Sequence, residues 1–136
     1  MSNTIKAIPT TYKGIEYRSK LEAKVAMFFD LGKIRFEYEP ERLGNENGEE
    51  YNPDFYLPDT DDWIEVKGKR EGYEQEILKA SRFVTWDGPI KKLIIFSEIP
   101  DPKVMGMPHF PCYYATKLFN GQNIIQTGWY FFSRHG

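Results

Sequence analysis

The chain has 136 residues, of which 40% are hydrophobic and 16% aromatic, and its net charge is −2; this composition predicts one compact domain over residues 1–136 and excludes a disordered chain. No apolar run approaches the roughly 20 residues that span a bilayer, and residues 1–6 hold no apolar stretch that could act as a signal peptide, so we expect no contact with a membrane. One cysteine, Cys112, and two histidines form neither an internal disulfide nor a four-ligand Cys/His zinc site, which favours a reducing, cytoplasmic location.

An amphipathic helix is predicted after an N-terminal arm that runs to about Tyr17. Ser19 followed by Glu22 is typical of a capping box, and Gly32 is a plausible C-terminal stop. Four apolar residues between these two signals recur at helical spacing: Leu21, Val25, Phe28 and Phe29. We therefore expect one face of this helix to pack against the core.

Three strands, a second helix and a further strand are predicted next. Alternation of residue types and turn signals place the strands at residues 34–38, 51–57 and 63–69, the helix at 73–86 and the last strand at 91–97. The second and third strands should form a hairpin, because a turn-forming cluster separates them. The predicted order is α-β-β-β-α-β.

A β-rich extension is predicted for residues 105–136. Asn120-Gly121 is a strong hairpin signal, and residues 113–119 and 122–132 would be its arms.

Charge is unevenly distributed along the chain. From Glu37 to Asp62 there are 10 acidic residues and one basic residue, which leaves 17 basic and 10 acidic residues elsewhere. The net charge by itself argues against a nucleic-acid-binding protein, whose affinity comes largely from Lys and Arg. The distribution, however, is typical of an acidic, cation-binding edge beside a basic remainder that could contact phosphates. An acidic, solvated loop explains residues 46–50 equally well.

The predicted hairpin sorts its side chains onto two faces, because residues two apart along a strand share a face. One set is apolar and should face the core: Phe55, Leu57, Ile64 and Val66. Asp54, Glu65 and Lys67 would then converge on the opposite face, on neighbouring strands. Two adjacent carboxylates repel each other unless a cation lies between them or they share a proton.

A hard divalent metal would remove this repulsion. Mg²⁺ accepts carboxylate, carbonyl and water oxygens, so the carbonyl of Val66 is a candidate ligand beside Asp54 and Glu65. Such an ion activates water and polarises a phosphoryl oxygen. Lys67 could orient the attacking water, help to deprotonate it, or stabilise charge on the phosphorus centre.

Parts of this motif occur elsewhere in the chain. Glu22-Ala23-Lys24 is a second Glu-x-Lys triplet, and Pro58-Asp59 is a second Pro-Asp pair, although it lies in the predicted turn. The alternative interpretation of Asp54, Glu65 and Lys67 is a surface cluster of cross-strand ion pairs, worth at most about 1 kcal/mol per pair.

Four segments carry a family resemblance. They are Tyr-Arg-Ser-Lys-Leu-Glu-Ala at 17–23, Phe-Glu-Tyr-Glu-Pro at 36–40, Tyr-Asn-Pro-Asp-Phe-Tyr-Leu-Pro at 51–58 and Ile-Glu-Val-Lys-Gly at 64–68. Together they resemble the PD-(D/E)XK nuclease superfamily, most of all its phage junction-resolving endonuclease I group and, more loosely, the endonuclease subunit of some transposases. The resemblance covers about residues 12–97 and implies an α/β fold, with a mixed sheet and a restriction-endonuclease-like core.

The resemblance also implies an activity and a set of functional residues. It implies metal ligands at Asp54 and Glu65, a catalytic lysine at Lys67, a further acidic ligand at Glu22 and a phosphate contact at Arg18. The capping box with Ser19 is the alternative role of Glu22, and the two roles are compatible.

The implied protein is a DNA endonuclease dependent on Mg²⁺ or Mn²⁺, acting as a homodimer on branched or structured DNA and encoded by a phage or mobile element. An endonuclease is favoured over an exonuclease, because the Gln-x-x-x-Tyr element of RecB-type exonucleases is absent at Gln75. Four basic residues could contact the phosphate backbone, although ordinary solvated faces have the same composition: Lys69, Arg70, Lys79 and Arg82.

Two other functions remain open. One is a non-catalytic module that binds nucleic acid or a partner protein through the β-rich extension. The other is a structure-selective RNA nuclease, since metal chemistry at phosphorus is common to both nucleic acids.

Overall fold

A computed structural model describes residues 8–41, 43–44, 48–68, 71–97, 109–117 and 120–131. Within these residues the helices are α1 (Lys20–Leu31) and α2 (Tyr73–Ser81). The strands are β1 (Thr10–Tyr12), β2 (Ile15–Tyr17), β3 (Glu37–Tyr38), β4 (Leu43–Gly44), β5 (Glu50–Tyr51), β6 (Phe55–Leu57), β7 (Asp62–Val66), β8 (Leu93–Phe96), β9 (His109–Lys117) and β10 (Asn123–Phe131).

The main sheet is mixed, and the described residues contribute six strands to it, in the order β10-β9-β8-β7-β6-β3. Strands β7 and β8 run parallel, and the other neighbouring pairs are antiparallel. Parallel strands require a crossover connection, and here α2 lies within it. Because β9 pairs with β8, the C-terminal hairpin extends the main sheet. The described part of the chain is therefore a mixed α+β fold with two helices.

Local capping signals define α1 as predicted. The hydroxyl of Ser19 accepts a hydrogen bond from the backbone N–H of Glu22 (3.1 Å), which satisfies a donor that the first turn leaves unpaired. At the other end, the backbone N–H of Gly32 donates to the carbonyl of Phe28 (3.1 Å). The preceding arm forms the β1-β2 hairpin, which the sequence did not predict, around Gly14 at a φ of +80°.

Both faces of the main sheet are buried, each under one helix. On the α1 face, the four residues predicted to face the core pack with helix residues such as Val25 and Phe29: Phe55, Leu57, Ile64 and Val66. That prediction is confirmed. On the other face, Trp63 and Leu93 pack with Ile77 of α2. The face predicted to carry the polar cluster is thus covered by α2 along much of its length.

Several predicted boundaries are wrong. Within the described residues five strands lie between α1 and α2, because the predicted strand 51–57 divides into β5 and β6 and because β4 forms where no strand was predicted. Pro53 explains the division, because it has no N–H for the ladder and restricts the backbone of Asn52. Strand 34–38 shortens to β3, which pairs with β6 over only two residues. Strand 63–69 is shifted and shortened to Asp62–Val66.

The second helix is also shorter than the predicted 73–86. After Ser81, the backbone N–H groups of residues 82–84 bond to carbonyls three positions earlier, and the helix does not resume. Ile77, Ala80 and Val84 of this segment are nonetheless all buried, and Tyr73 is partly buried, so one face of the segment packs against the sheet.

In the part of the chain that the structure describes, no helix has the length and apolar character required to cross a membrane.

Candidate active site

Asp54 and Glu65 lie side by side where the β6-β7 ladder ends. Phe55 pairs with Ile64 in this ladder, and Asp54 and Glu65 are the next residue along each strand. Both are buried, with only 3% of each residue exposed. The ion pairs of a surface cluster are exposed to solvent, whereas these two carboxyl groups are buried. The interpretation as a surface ion-pair cluster is therefore wrong for Asp54 and Glu65.

The carboxyl of Asp54 has two defined partners. Its Oδ1 lies 3.0 Å from Nη2 of Arg18, and its Oδ2 accepts a hydrogen bond from the backbone N–H of Val66 (2.8 Å). Burial, followed by the charge of Glu65, raises the pKa of Asp54 well above its ordinary value, although the Val66 hydrogen bond opposes this. Asp54 therefore carries a carboxyl group whose ionised form requires a nearby cation.

Glu22 brings a third carboxyl to the same place. It lies in the first turn of α1 with only 5% of the residue exposed. Burial, followed by the charge of Asp54, raises the pKa of Glu22 to about 7, against the opposing effects of Ser19 and Arg18. The backbone N–H of Glu22 is bound to the Ser19 cap, as the capping interpretation predicts, and its side chain interacts with Asp54. The role of Glu22 as a metal ligand stays a prediction.

Glu65 is as deeply buried as Asp54. Burial raises its pKa, while Asp54, the charge of Lys67 and the hydroxyl of Tyr51 oppose the shift. That hydroxyl donates a hydrogen bond to Oε2 of Glu65 over 2.8 Å. The pKa of Tyr51 is itself raised well above its ordinary value, first by burial and then by the charge of Glu65, so Tyr51 acts here as a neutral donor.

Arg18 contacts several acidic side chains at once. Besides Asp54, its guanidinium lies 2.5 Å from Oε1 of Glu39 and 3.9 Å from Oε1 of Glu22. Its backbone N–H donates to the hydroxyl of Tyr38 (3.0 Å). Although burial opposes the charge, these contacts raise the pKa of Arg18, so the guanidinium stays protonated.

A pocket of about 310 Å³ opens beside the carboxyl cluster. It is lined by Arg18, Glu50, Tyr51, Asn52, Asp54, Glu65, Lys67, Glu76, Lys79, Ala80 and Phe83. The side-chain oxygen Oδ1 of Asn52 is buried, and no group among the described residues donates a hydrogen bond to it. An unpartnered buried oxygen is costly, and a bound cation or water at the pocket would remove that cost.

Lys67 reaches this pocket from the residue after β7. Its Nζ lies 3.9 Å from Oε2 of Glu76, on α2, and a quarter of its side chain is exposed. Lys79, predicted as a phosphate contact, is exposed on α2 and lines the same pocket. The structure thus brings Lys67, Lys79 and Arg18 together with the carboxyl cluster.

The other predicted phosphate contacts lie elsewhere. Arg82 pairs with Glu49 (3.8 Å) and lines a different pocket, with Leu43 and Lys117. Lys69 and Arg70 lie outside the described residues.

The residues fit a divalent metal in chemistry, but they are not arranged as a finished site. Among the described residues, no group of three or more His, Cys, Asp or Glu side chains is placed to hold a metal ion. The donor types nonetheless match a hard cation, since Asp54, Glu65 and Glu22 offer carboxylate oxygens and Asn52 offers a buried amide oxygen. The guanidinium of Arg18 already contacts Asp54 and Glu22, two of the three carboxyl groups that would hold the metal.

Four residues of this site were missed in the sequence. Tyr51 and Asn52 precede Asp54 within a segment that carries the resemblance, so their position in that segment was an available signal. Glu39 also lies in one of these segments, directly after β3. It adopts a positive φ of +48°, which is uncommon outside glycine. Glu76 gave no signal, because only the packing of α2 brings it to Lys67.

Comparisons of the chain with protein-family models, with curated proteins and with solved structures found no match.

Proposed function

We propose that this protein is a metal-dependent nuclease that hydrolyses phosphodiester bonds of DNA, built on a restriction-endonuclease-like core of the PD-(D/E)XK type. Asp54 and Glu65 would hold Mg²⁺ or Mn²⁺, Glu22 and the carbonyl of Val66 would complete the protein ligands, and Lys67 would act on the phosphate or the attacking water.

The observation that carries this proposal is the burial of three neighbouring carboxyl groups beside a pocket. Asp54, Glu65 and Glu22 are each at most 5% exposed. Clustered carboxyl groups out of water destabilise a fold unless protons or cations neutralise them. Fold stability alone gives no reason to retain such a cluster, whereas a cation-binding function does.

The pocket also supplies positive charge for an anionic substrate. Arg18, Lys67 and Lys79 line it together with Asp54 and Glu65. The charge of Lys67 acts on Glu65, which supports a role for its ammonium in stabilising charge on a phosphoryl oxygen or in orienting water. When bound, the metal would lower the pKa of a water and neutralise charge on the phosphate.

The substrate and the assembly belong to the same proposal. The resemblance to junction-resolving endonucleases supports branched DNA as substrate. Resolving a junction needs two cuts, which supports a homodimer with one site in each copy. Light scattering coupled to size-exclusion chromatography tests the dimer directly.

Cleavage of supercoiled plasmid and of a labelled four-way junction tests the activity. The assay compares Mg²⁺, Mn²⁺ and EDTA, with the intact chain and the variants Asp54→Ala and Lys67→Ala. We expect metal-dependent nicking that both substitutions abolish, and faster cutting of the junction than of linear duplex.

Two matched variants control this assay. Asp59→Asn changes the aspartate of the second Pro-Asp pair, which is exposed and bonded to Arg35. Lys24→Ala changes the exposed lysine of the second Glu-x-Lys triplet. Both should cut like the intact chain. Preferential cutting of RNA would move the assignment to an RNA nuclease, and binding without cutting by a folded protein would favour the non-catalytic module.

A further inference from the structure

Arg18 occupies the position of a cation among the buried carboxyl groups. Its guanidinium lies 3.0 Å from Oδ1 of Asp54, 3.9 Å from Oε1 of Glu22 and 2.5 Å from Oε1 of Glu39. Asp54 and Glu22 are buried, whereas 62% of the Arg18 side chain is exposed. A single exposed side chain thus neutralises carboxyl groups that the fold itself encloses.

The guanidinium of Arg18 can move away from the carboxyl groups without unfolding the site. The backbone is held separately, by the hydrogen bond from its N–H to the hydroxyl of Tyr38. The side chain is long and mainly solvated, so rotation about its own bonds would carry the guanidinium into the adjoining pocket. The carboxyl of Asp54 would remain in place, since Val66 holds its other oxygen.

We propose that Arg18 is a built-in counter-cation that competes with the divalent metal: its guanidinium holds Asp54 and Glu22 together until a metal displaces it. This inference rests on the proposed function, because it presupposes a metal site at the same carboxyl groups. It also assigns Arg18 a place after displacement, since a guanidinium released into the pocket is suited to bind a substrate phosphate through paired N–H donors.

If Arg18 competes with the metal, its removal should increase the affinity of the site for the metal. A guanidinium bonded to Asp54 occupies a lone pair that the metal needs, and its positive charge repels the incoming ion. At about 4 Å this repulsion is substantial even near a protein surface. A neutral replacement should therefore strengthen metal binding by at least about fivefold, whereas a merely structural arginine would weaken binding when lost.

Calorimetric titration with Mn²⁺, without DNA, tests the proposal. The proteins are the intact chain, Arg18→Gln, Arg18→Lys and Arg35→Gln, at a pH where Glu22 is ionised. We expect Arg18→Gln to bind Mn²⁺ most tightly. The affinity of Arg18→Lys should lie between those of Arg18→Gln and the intact chain, because lysine keeps the positive charge but lacks the paired N–H donors of a guanidinium. Arg35→Gln removes an arginine bonded to an exposed aspartate, Asp59, and should bind like the intact chain.

Each outcome of the titration decides something. If the intact chain binds Mn²⁺ and Arg18→Gln binds it with equal or lower affinity, the proposed competition is wrong, but the proposed metal site is not affected. Absence of binding by both proteins overturns the metal site itself. If circular dichroism shows that Arg18→Gln does not fold, the result depends on Arg18→Lys, which must bind Mn²⁺ more tightly than the intact chain for the proposal to hold.

Discussion

The backbone N–H of Val66 donates a hydrogen bond to Oδ2 of Asp54 over 2.8 Å, which fixes this carboxyl against the neighbouring strand. Val66 entered the site as a possible carbonyl ligand, and that role stays a prediction. Its N–H already has a defined effect: it lowers the pKa of a carboxyl group that burial raises. A main-chain donor in a central strand is rigid, so Asp54 is oriented before any ion arrives.

Replacing Asp54 should abolish stabilisation by metal. Asp54→Asn keeps an oxygen that can accept from Val66, but it removes the charge that attracts a cation. In the intact chain, Mn²⁺ at 100 times its dissociation constant should raise the free energy of unfolding by about 2.7 kcal/mol. Chemical denaturation with Mn²⁺ or EDTA measures this. Asp59→Asn should retain the whole effect, and an undiminished gain in Asp54→Asn would show that the ion binds elsewhere.

The pH dependence of stability should report on Glu22. Its pKa is raised from 4.5 in the unfolded chain to about 7 in the folded protein. The folded state therefore binds the proton more tightly, and the associated stability is complete below about pH 4.5 and is lost as the pH rises through about 7.

Glu22→Gln should remove this loss. Above pH 7 the variant should be the more stable protein, by up to about 3 kcal/mol and by less where water screens the carboxylate. Denaturation curves at a series of pH values, without metal, test the sign. A variant whose stability fell in parallel with that of the intact chain would place the titrating group elsewhere.

Tyr51 should control how readily Glu65 ionises. Its hydroxyl donates to Oε2 of Glu65 and opposes the rise in the pKa of that residue. Tyr51→Phe should thus raise this pKa further and cost about 1–3 kcal/mol of stability, as expected when a buried acceptor loses its hydrogen-bond donor. Mn²⁺ affinity should fall near neutral pH and recover as the pH rises.

Tyr56→Phe is the matched control for that experiment. Tyr56 also donates its hydroxyl to a carboxylate, Oδ1 of Asp61 (2.9 Å), but at an exposed turn. Its loss should leave Mn²⁺ affinity unchanged at every pH. Equal behaviour of the two variants would mean that Tyr51 has no special effect on the site.

The helix cap should contribute stability independently of the carboxyl cluster. Ser19→Ala removes the hydroxyl that accepts from the backbone N–H of Glu22, which should lower the free energy of unfolding by about 0.5–2 kcal/mol. Ser19→Thr should restore most of that stability, since threonine also caps helices. Urea denaturation measures both variants, and an unchanged Ser19→Ala would show that the cap is dispensable.

The start of α1 and the hairpin of β6 and β7 could be predicted because their signals are local. Ser19 and Glu22 are three positions apart, and the turn between Leu57 and Asp62 depends on the residues within it. Strand lengths could not be predicted in the same way. A strand extends only as far as its pairing with a neighbour, and β3 pairs with β6 through just two residues, Glu37 and Tyr38.

The pairing of Asp54 with Glu65 was predictable, but the surroundings of the pair were not. Alternation along two strands places both side chains on one face whatever packs above them. Tyr51 reaches Glu65 only because Pro53 breaks the strand and turns β5 toward β4. Glu76 reaches Lys67 only because α2 crosses that face.

The amino-acid sequence by itself determined which side chains share a face, because a strand repeats every two residues and a helix about every 3.6. It thereby specified the apolar set around Phe55 and the polar set around Asp54. Only the tertiary structure decided that the polar set is buried and that Arg18 reaches Asp54 from 36 positions away. Burial depends on what packs from distant parts of the chain, and the pKa of each carboxyl group depends on burial, so neither is present in a local pattern.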